Sequence, residues 1–254
     1  MGRDRDAHAI LHDVQRSQKL KGRLGGILHE RGRVDAQTPF LDPPRTVEFL
    51  EVLAETIETK DCFMRGHARR VAFYSSLLAD RLCLSAEEHA RVRIAGFLHD
   101  IGKVGVPTDL LMREGALAKN ERELVERHPE IGSRLLKPLD IPSSVATAIR
   151  HHHEWWDGTG YPDGLSGEEI PLISRIIAVT DAFDTMSCDR PYRAALDRDV
   201  ICGELRRYSG VQFDPDLTKE FLRILDTGVC DVDPELVADA IAERQESHAR
   251  ATVG

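Results

Sequence analysis

Residues 85–107 read SAEEHARVRIAGFLHDIGKVGVP, and the fold class follows from this stretch. Ser85 and Glu88 form a capping box, in which two side chains three residues apart satisfy amides that the first helical turn leaves unpaired. Val92, Ala95 and Leu98 then recur at helical spacing and give the segment one apolar face. Gly102, Gly105 and Pro107 stop it. His99 and Asp100 therefore stand at the end of an apolar helix, GFLHD, where two strongly polar side chains are costly unless they bind something.

The same period extends to both sides. From Thr46 onward Val47, Leu50, Val52, Leu53 and Ile57 follow it, and within residues 66–84 so do Val71, Tyr74, Leu77, Leu78 and Leu82. Further helices are predicted over 119–136 and 142–153, followed by a turn-rich loop, DGTGYPDGLSGEEIP, over 157–171. Residues 173–187, ISRIIAVTDAFDTMS, open on a β-branched run, but the helical period continues through Ala182, Phe183 and Met186. Strands do not alternate with helices and no internal repeat is present, so the predicted class is all-α. Three prolines in PFLDPPR (39–45) mark a boundary. The predicted organisation is a basic extension over 1–45, a catalytic core over 46–221 and a helical tail over 222–254.

Composition narrows the function. The 254 residues are 41% hydrophobic and 30% charged, as in an ordinary globular protein. No apolar run approaches the ~20 residues that span a bilayer. The N-terminus, MGRDRDAHAILHDVQRS, lacks the apolar stretch of a secretory signal, so the expected location is cytoplasmic. A net charge of −9 argues against a nucleic-acid polymer as partner. Residues 1–34 carry eight Lys/Arg against four Asp/Glu and residues 222–254 carry three against seven, read as solvated faces or tails. The five cysteines (62, 83, 188, 202 and 230) include no C-x-x-C pair and are read as small buried hydrophobes.

Histidine and aspartate carry the chemistry. His151-His152-His153 ends one helix beside the glycine-rich loop, and Asp181 falls on the apolar face IIAVTDAF, where a buried carboxylate needs a cationic partner. Asp184, one turn on, is placed to support a ligand. Imidazole and carboxylate without thiolate suit Mn, Fe or Mg better than structural Zn. A carboxylate such as Asp100 can bridge two cations ~3.5–4 Å apart, which together clamp a phosphoryl group for in-line displacement. Lys103, in the turn after the helix, is placed either to neutralise phosphoryl charge or simply to meet solvent.

HDIGKVGVP (99–107) and HHEWWDGTGYP (152–162) resemble the two signature motifs of the HD-GYP family, a branch of the HD phosphohydrolases. The resemblance covers about 46–221 and takes in GHARRV (66–71), HPEIG (128–132), LSGEEIPLISRIIAVTDAFD (165–184), DRPYR (189–193) and SGVQFDP (209–215). It implies an all-helical HD-like bundle with additional C-terminal helices, and hydrolysis of cyclic di-GMP to pGpG or GMP. It also implies two divalent ions, Fe or Mn with Mg as the alternative. His67, His99, Asp100 and Asp181 would hold one, and Asp100, His128, His152 and His153 the other. Asp100 and Lys103 would be catalytic, while Lys103, Tyr161, Arg190 and Arg193 would contact substrate. His151 precedes the motif and is read as a neighbour. Some members carry a Glu four residues before the first His, as ligand to a third metal. Phe63 occupies that position here, which predicts a dinuclear site and pGpG as end product. In the family the GYP loop is also linked to diguanylate cyclase domains. Trp155 is expected either to stack on guanine or, like Trp156, to pack on the helices. The alternatives are another nucleotide substrate, such as cyclic GMP-AMP, or a non-catalytic binding or docking module. Forty-five residues are too few for a receiver domain. A dimerisation arm, a docking segment and the remnant of a longer protein all stay open for them.

Overall fold

A computed structural model describes residues 52, 54, 56, 58, 66–113, 115–139, 141–189, 194–228 and 230. Its helices are α1 (His67–Arg81), α2 (Ala86–Leu98), α3 (Thr108–Leu111), α4 (Lys119–Val125), α5 (His128–Leu136), α6 (Ser143–His151), α7 (Leu172–Ser187), α8 (Arg198–Arg207) and α9 (Pro215–Asp226). Two 3-10 turns, Ile101–Gly105 and Gly167–Glu169, lie between them, and the described residues 52, 54, 56 and 58 are also helical. Among the described residues no strand forms beyond one isolated bridge between Ser209 and Phe213, as an all-α chain requires. None of the described helices is long and apolar enough to cross a membrane.

The capping box predicted for α2 is present: Ser85 Oγ accepts from the Glu88 amide and Glu88 Oε2 accepts from the Ser85 amide at 3.0 Å. The helix predicted over 119–136 is two helices instead. Pro129 has no N–H to give the carbonyl four residues earlier, and its ring clashes there, so the chain breaks between Val125 and His128. The helix predicted over 142–153 stops at His151, which leaves His152 and His153 on the turn beyond it.

α7 is the central element because it is apolar on two sides. Ile176, Val179 and Phe183 pack with Phe73, Tyr74 and Leu78 of α1, Leu205 of α8 and Leu217, Phe221 and Leu225 of α9. Ile177 faces the opposite way, into Val71, Ala95, Leu98, Leu136, Val145 and Ile149. Each fully buried Leu, Ile or Phe contributes roughly 1.5–3 kcal/mol. α9 runs to Asp226 with Leu225 in the core, so ordered packing extends past residue 221. Close approach fixes the second cluster. A Cβ on Gly102 would lie 1.8 Å from the His128 carbonyl oxygen, so only glycine lets the turn after Asp100 rest against α5.

The cysteines divide. Cys202 is buried, whereas Cys83 is exposed with φ 55°, and that expectation of burial fails there. Cys83 is the left-handed residue that ends α1: its amide donates to Asp80 O and the Leu84 amide to Ala79 O, a Schellman arrangement in which glycine is the usual occupant. Cys83→Gly is expected to raise stability by about 1 kcal/mol, as relief of the left-handed strain exceeds the added freedom of the unfolded chain. Urea unfolding monitored by circular dichroism would measure this, and a lower midpoint would contradict it.

Candidate metal centre

Four imidazoles reach a common centre from the ends of helices. His67 opens α1 after Gly66, which has no side chain to cap the helix. The cap comes from upstream: Glu58 accepts the Gly66 amide at 2.7 Å and the Ala68 amide at 2.8 Å. His99 follows α2, His128 opens α5 and His152 follows α6. Each ring is held by its Nδ1. That of His99 donates to Gly96 O at 2.8 Å, that of His128 to Val125 O at 2.8 Å and that of His152 to Ile149 O at 2.7 Å. The Val125 carbonyl is the one that Pro129 cannot satisfy, so the break in the helix also orients His128. His67 differs, since its Nδ1 donates to a carboxylate, Asp184 Oδ2, at 2.7 Å.

With Nδ1 protonated, each Nε2 turns a lone pair inward. The Nε2 atoms of His67 and His99 are 3.1 Å apart, and those of His128 and His152 are 3.4 Å apart. Two lone pairs at that distance repel unless a proton or a cation lies between them. At this centre potential ligand atoms fall into two trios, His67 with His99 and Asp181, and His128 with His152 and His153, each within 4.8 Å of one another; a third such group among the described residues is His151 with Glu154 and Asp163. Asp100 stands between them. Its Oδ1 is 3.3 Å from His128 Nε2, while its Oδ2 is 3.5 Å from His99 Nε2 and 3.8 Å from His67 Nε2. Lys103 Nζ donates to Asp100 Oδ2 at 2.6 Å.

The electrostatics of the trios differ. Burial pushes the His67 imidazolium down, but hydrogen bonds to Asp181 and Asp184 outweigh it and lift the group to about 10. A pocket that holds a proton so firmly favours positive charge, which a divalent ion supplies by displacing that proton. In the second trio burial dominates: it takes His128 down to about 3 and His153 to about 4, and it lowers His152 too. Three neutral imidazoles result, the form that ligates metal. Burial also opposes charge on Asp100 and Asp181. The neighbouring Lys103, His99 and His128 hold Asp100 well below the usual carboxylate range, and His67 does the same for Asp181. The donor set therefore fits divalent cations.

Of the described residues singled out in the sequence, His67, His99, Asp100, Lys103, His128, His152, His153 and Asp181 come together at this centre. Tyr161 stacks on His153, with centroids 5.0 Å apart and planes at 29°. His151 belongs to neither trio: its Nδ1 donates to Thr147 O at 2.9 Å and its Nε2 bonds Asp163 Oδ2 at 2.8 Å. Trp156 is tied to the scaffold, its amide donating to Gln212 O and the Arg175 guanidinium lying 5.8 Å above its ring. Phe63, Arg190 and Arg193 lie outside the described residues. Of the two carboxylates on α7, Asp184 is the buried one and Asp181 keeps 20% of its side chain exposed.

Sequence reasoning missed Arg70, Glu58 and Glu154. Arg70 grips Asp184 with two bonds, Nε to Oδ1 at 2.6 Å and Nη2 to Oδ2 at 2.9 Å, and so fixes the carboxylate that orients His67. Its position in GHARRV, one turn after His67 on the same helix, was the available signal. Asp184→Asn keeps the shape but removes the charge behind His67. It is expected to weaken divalent-ion binding at the first trio by roughly 10–100-fold, and calorimetric titration with Mn²⁺ would measure the change.

A model of the HD domain family matches residues 51–217. The chain is 40% identical over 182 residues to the cyclic di-GMP phosphodiesterase response regulator RpfG of Xanthomonas campestris, covering 70% of this chain and 48% of that protein. It is 38% identical over 160 residues to the 3'3'-cGAMP-specific phosphodiesterase 3 of Vibrio cholerae, covering 63% and 35%. The crystal structure of a V. cholerae cyclic GMP-AMP specific phosphodiesterase, V-cGAP3, superposes with a TM-score of 0.57 at 21% identity, over 70% of this chain and 48% of that one. The chain thus spans about half or less of the length of these relatives. By the extent of the family match and by its relatives, the chain belongs to the HD domain family, whose phosphohydrolases bind divalent metals.

Proposed function

We propose that the chain is a cyclic di-GMP phosphodiesterase working with two divalent ions, Fe or Mn with Mg as the alternative. The observation that carries this reading is Asp100, with one carboxylate oxygen facing each imidazole trio. The 40% identity to a cyclic di-GMP phosphodiesterase supports the substrate. His67, His99, Asp100 and Asp181 would hold the first ion, and Asp100, His128, His152 and His153 the second. Bound there, the ions would supply Lewis acidity and activate water for attack at phosphorus.

The chain's own residues divide the remaining work. Asp100 keeps its charge and fixes the spacing of the two positions. Lys103, anchored on Asp100, sets an ammonium beside the place where phosphoryl charge develops. Arg190 and Arg193 contribute guanidinium forks to the ligand phosphates, and Tyr161 borders the cleft. Phe63 offers no third-metal ligand, so the reaction stops at pGpG. The GYP loop is the proposed docking surface for a diguanylate cyclase domain.

A second reading is favoured by one observation, the 38% identity to a 3'3'-cGAMP-specific enzyme. Anaerobically purified protein should be assayed for metal content and for products from cyclic di-GMP and 3'3'-cGAMP in parallel. Two ions per chain with pGpG as the main product is the expected result. Faster turnover of 3'3'-cGAMP would transfer the assignment to that substrate. No hydrolysis of either with two ions bound would leave a binding or docking module.

A further inference from the structure

His153 is held differently from the other imidazoles of the centre. The rings of His67, His99, His128 and His152 are each fixed by a hydrogen bond at Nδ1. Among the described residues, the His153 ring nitrogens have no such partner. Stacking takes its place: Tyr161 lies over the ring at 5.0 Å, and the Tyr161 amide donates to the His153 carbonyl at 3.2 Å. An imidazole that binds a cation becomes electron-poor, so its attraction to the electron-rich phenol face increases on ligation.

Tyr161 in turn has little freedom. Its loop is closed from inside by Glu154, buried at 2% exposure, whose Oε1 accepts the Asp163 amide at 2.8 Å and Oε2 the Gly164 amide at 3.1 Å. From outside, Arg150 grips the Asp163 carboxylate with two bonds, at 2.7 and 2.8 Å, and His151 adds a third. Between these anchors the backbone passes so near itself that a Cβ on Gly160 would meet the Trp155 nitrogen at 2.2 Å. A residue next to that contact cannot swing away without undoing the loop.

We infer that Tyr161 is a positioning residue for His153 as ligand of the second ion, and that Glu154 acts through it by clamping the loop. The inference rests on the two-ion reading above. It gives the aromatic ring of the GYP loop a task distinct from touching substrate, and it links loop closure to occupancy of one metal position only.

Mn²⁺ titration of the full chain by calorimetry, with electron paramagnetic resonance to distinguish a coupled ion pair from a single ion, tests this. Tyr161→Ala is expected to weaken one of two binding events by roughly 10–100-fold and leave the other unchanged, which also reports that the domain is folded. Tyr161→Phe should keep both, because the ring and not the hydroxyl makes the stack. His153→Ala should show the same selective loss, and the double variant no further one. Glu154→Gln, which sets an amide against one of the two loop amides, should weaken the same event. Unchanged binding of both ions by Tyr161→Ala, with turnover reduced, would make Tyr161 a substrate contact and overturn the inference. Equal loss of both ions, or equal loss in Tyr161→Phe, would overturn it as well. A wild-type chain that takes up a single ion would instead overturn the two-ion reading itself.

Discussion

Asp100→Ala is expected to lower phosphodiesterase turnover by roughly 10³–10⁴-fold, the several kcal/mol that metal-ion catalysis supplies, and to abolish binding of a coupled ion pair. Every other candidate ligand belongs to one trio, whereas Asp100 faces both. Removing it also leaves Lys103 Nζ without the carboxylate it meets at 2.6 Å, so its ammonium would repel an incoming cation. Asp100→Asn keeps the outline and one acceptor oxygen but loses the charge, and it should fall between wild type and alanine. Metal analysis with steady-state kinetics would decide the matter. Wild-type turnover in the alanine variant would remove Asp100 from the centre of the mechanism.

The second large effect concerns stability. Gly102→Ala is expected to cost about 4 kcal/mol, above the usual 1–3 kcal/mol of overpacking. The obstacle is backbone rather than a movable side-chain tip: the new Cβ would meet His128 O at 1.8 Å and Gly132 N at 2.6 Å. Such a loss corresponds to a fall of about 10 °C in Tm for a domain of this size. It would also push the turn that follows Asp100 away from the helix that carries His128, so ion affinity should fall in parallel. A melting temperature within about 2 °C of wild type would mean that the two backbones separate at little cost.

Much of this was legible before any coordinates, for physical reasons that can be named. α2 was readable because both its capping box and its apolar face are local patterns. α7 was readable because its helical period outlasts its β-branched start. The break between α4 and α5 was missed because the apolar period was followed past Pro129, although that proline announces it. The trios were reached through resemblance. Residue spacing alone left His67, His99, His128, His152 and His153 as separate histidines, since the turns that bring their Nε2 atoms together are tertiary. Glu58 was unreadable for a similar reason, as it caps a helix that begins nine residues later. Glu154 stood in plain view beside His153, but its work is done on backbone amides that no side-chain pattern reveals.

The carbonyls that steer three of the rings have a further consequence. Gly96, Val125 and Ile149 each lie among the last four residues of their helices, whose carbonyls find no amide within the helix. In most proteins such groups are left to water, and the ends that carry them fray. In this chain each is the tether of an imidazole, so unwinding the last turn of α2, α4 or α6 releases a ring. Fraying and loss of grip on a cation are then one event observed from two directions. An ion that draws the rings inward would also tighten the three helix ends that tether them, and amide exchange in those turns would slow as the ion is taken up.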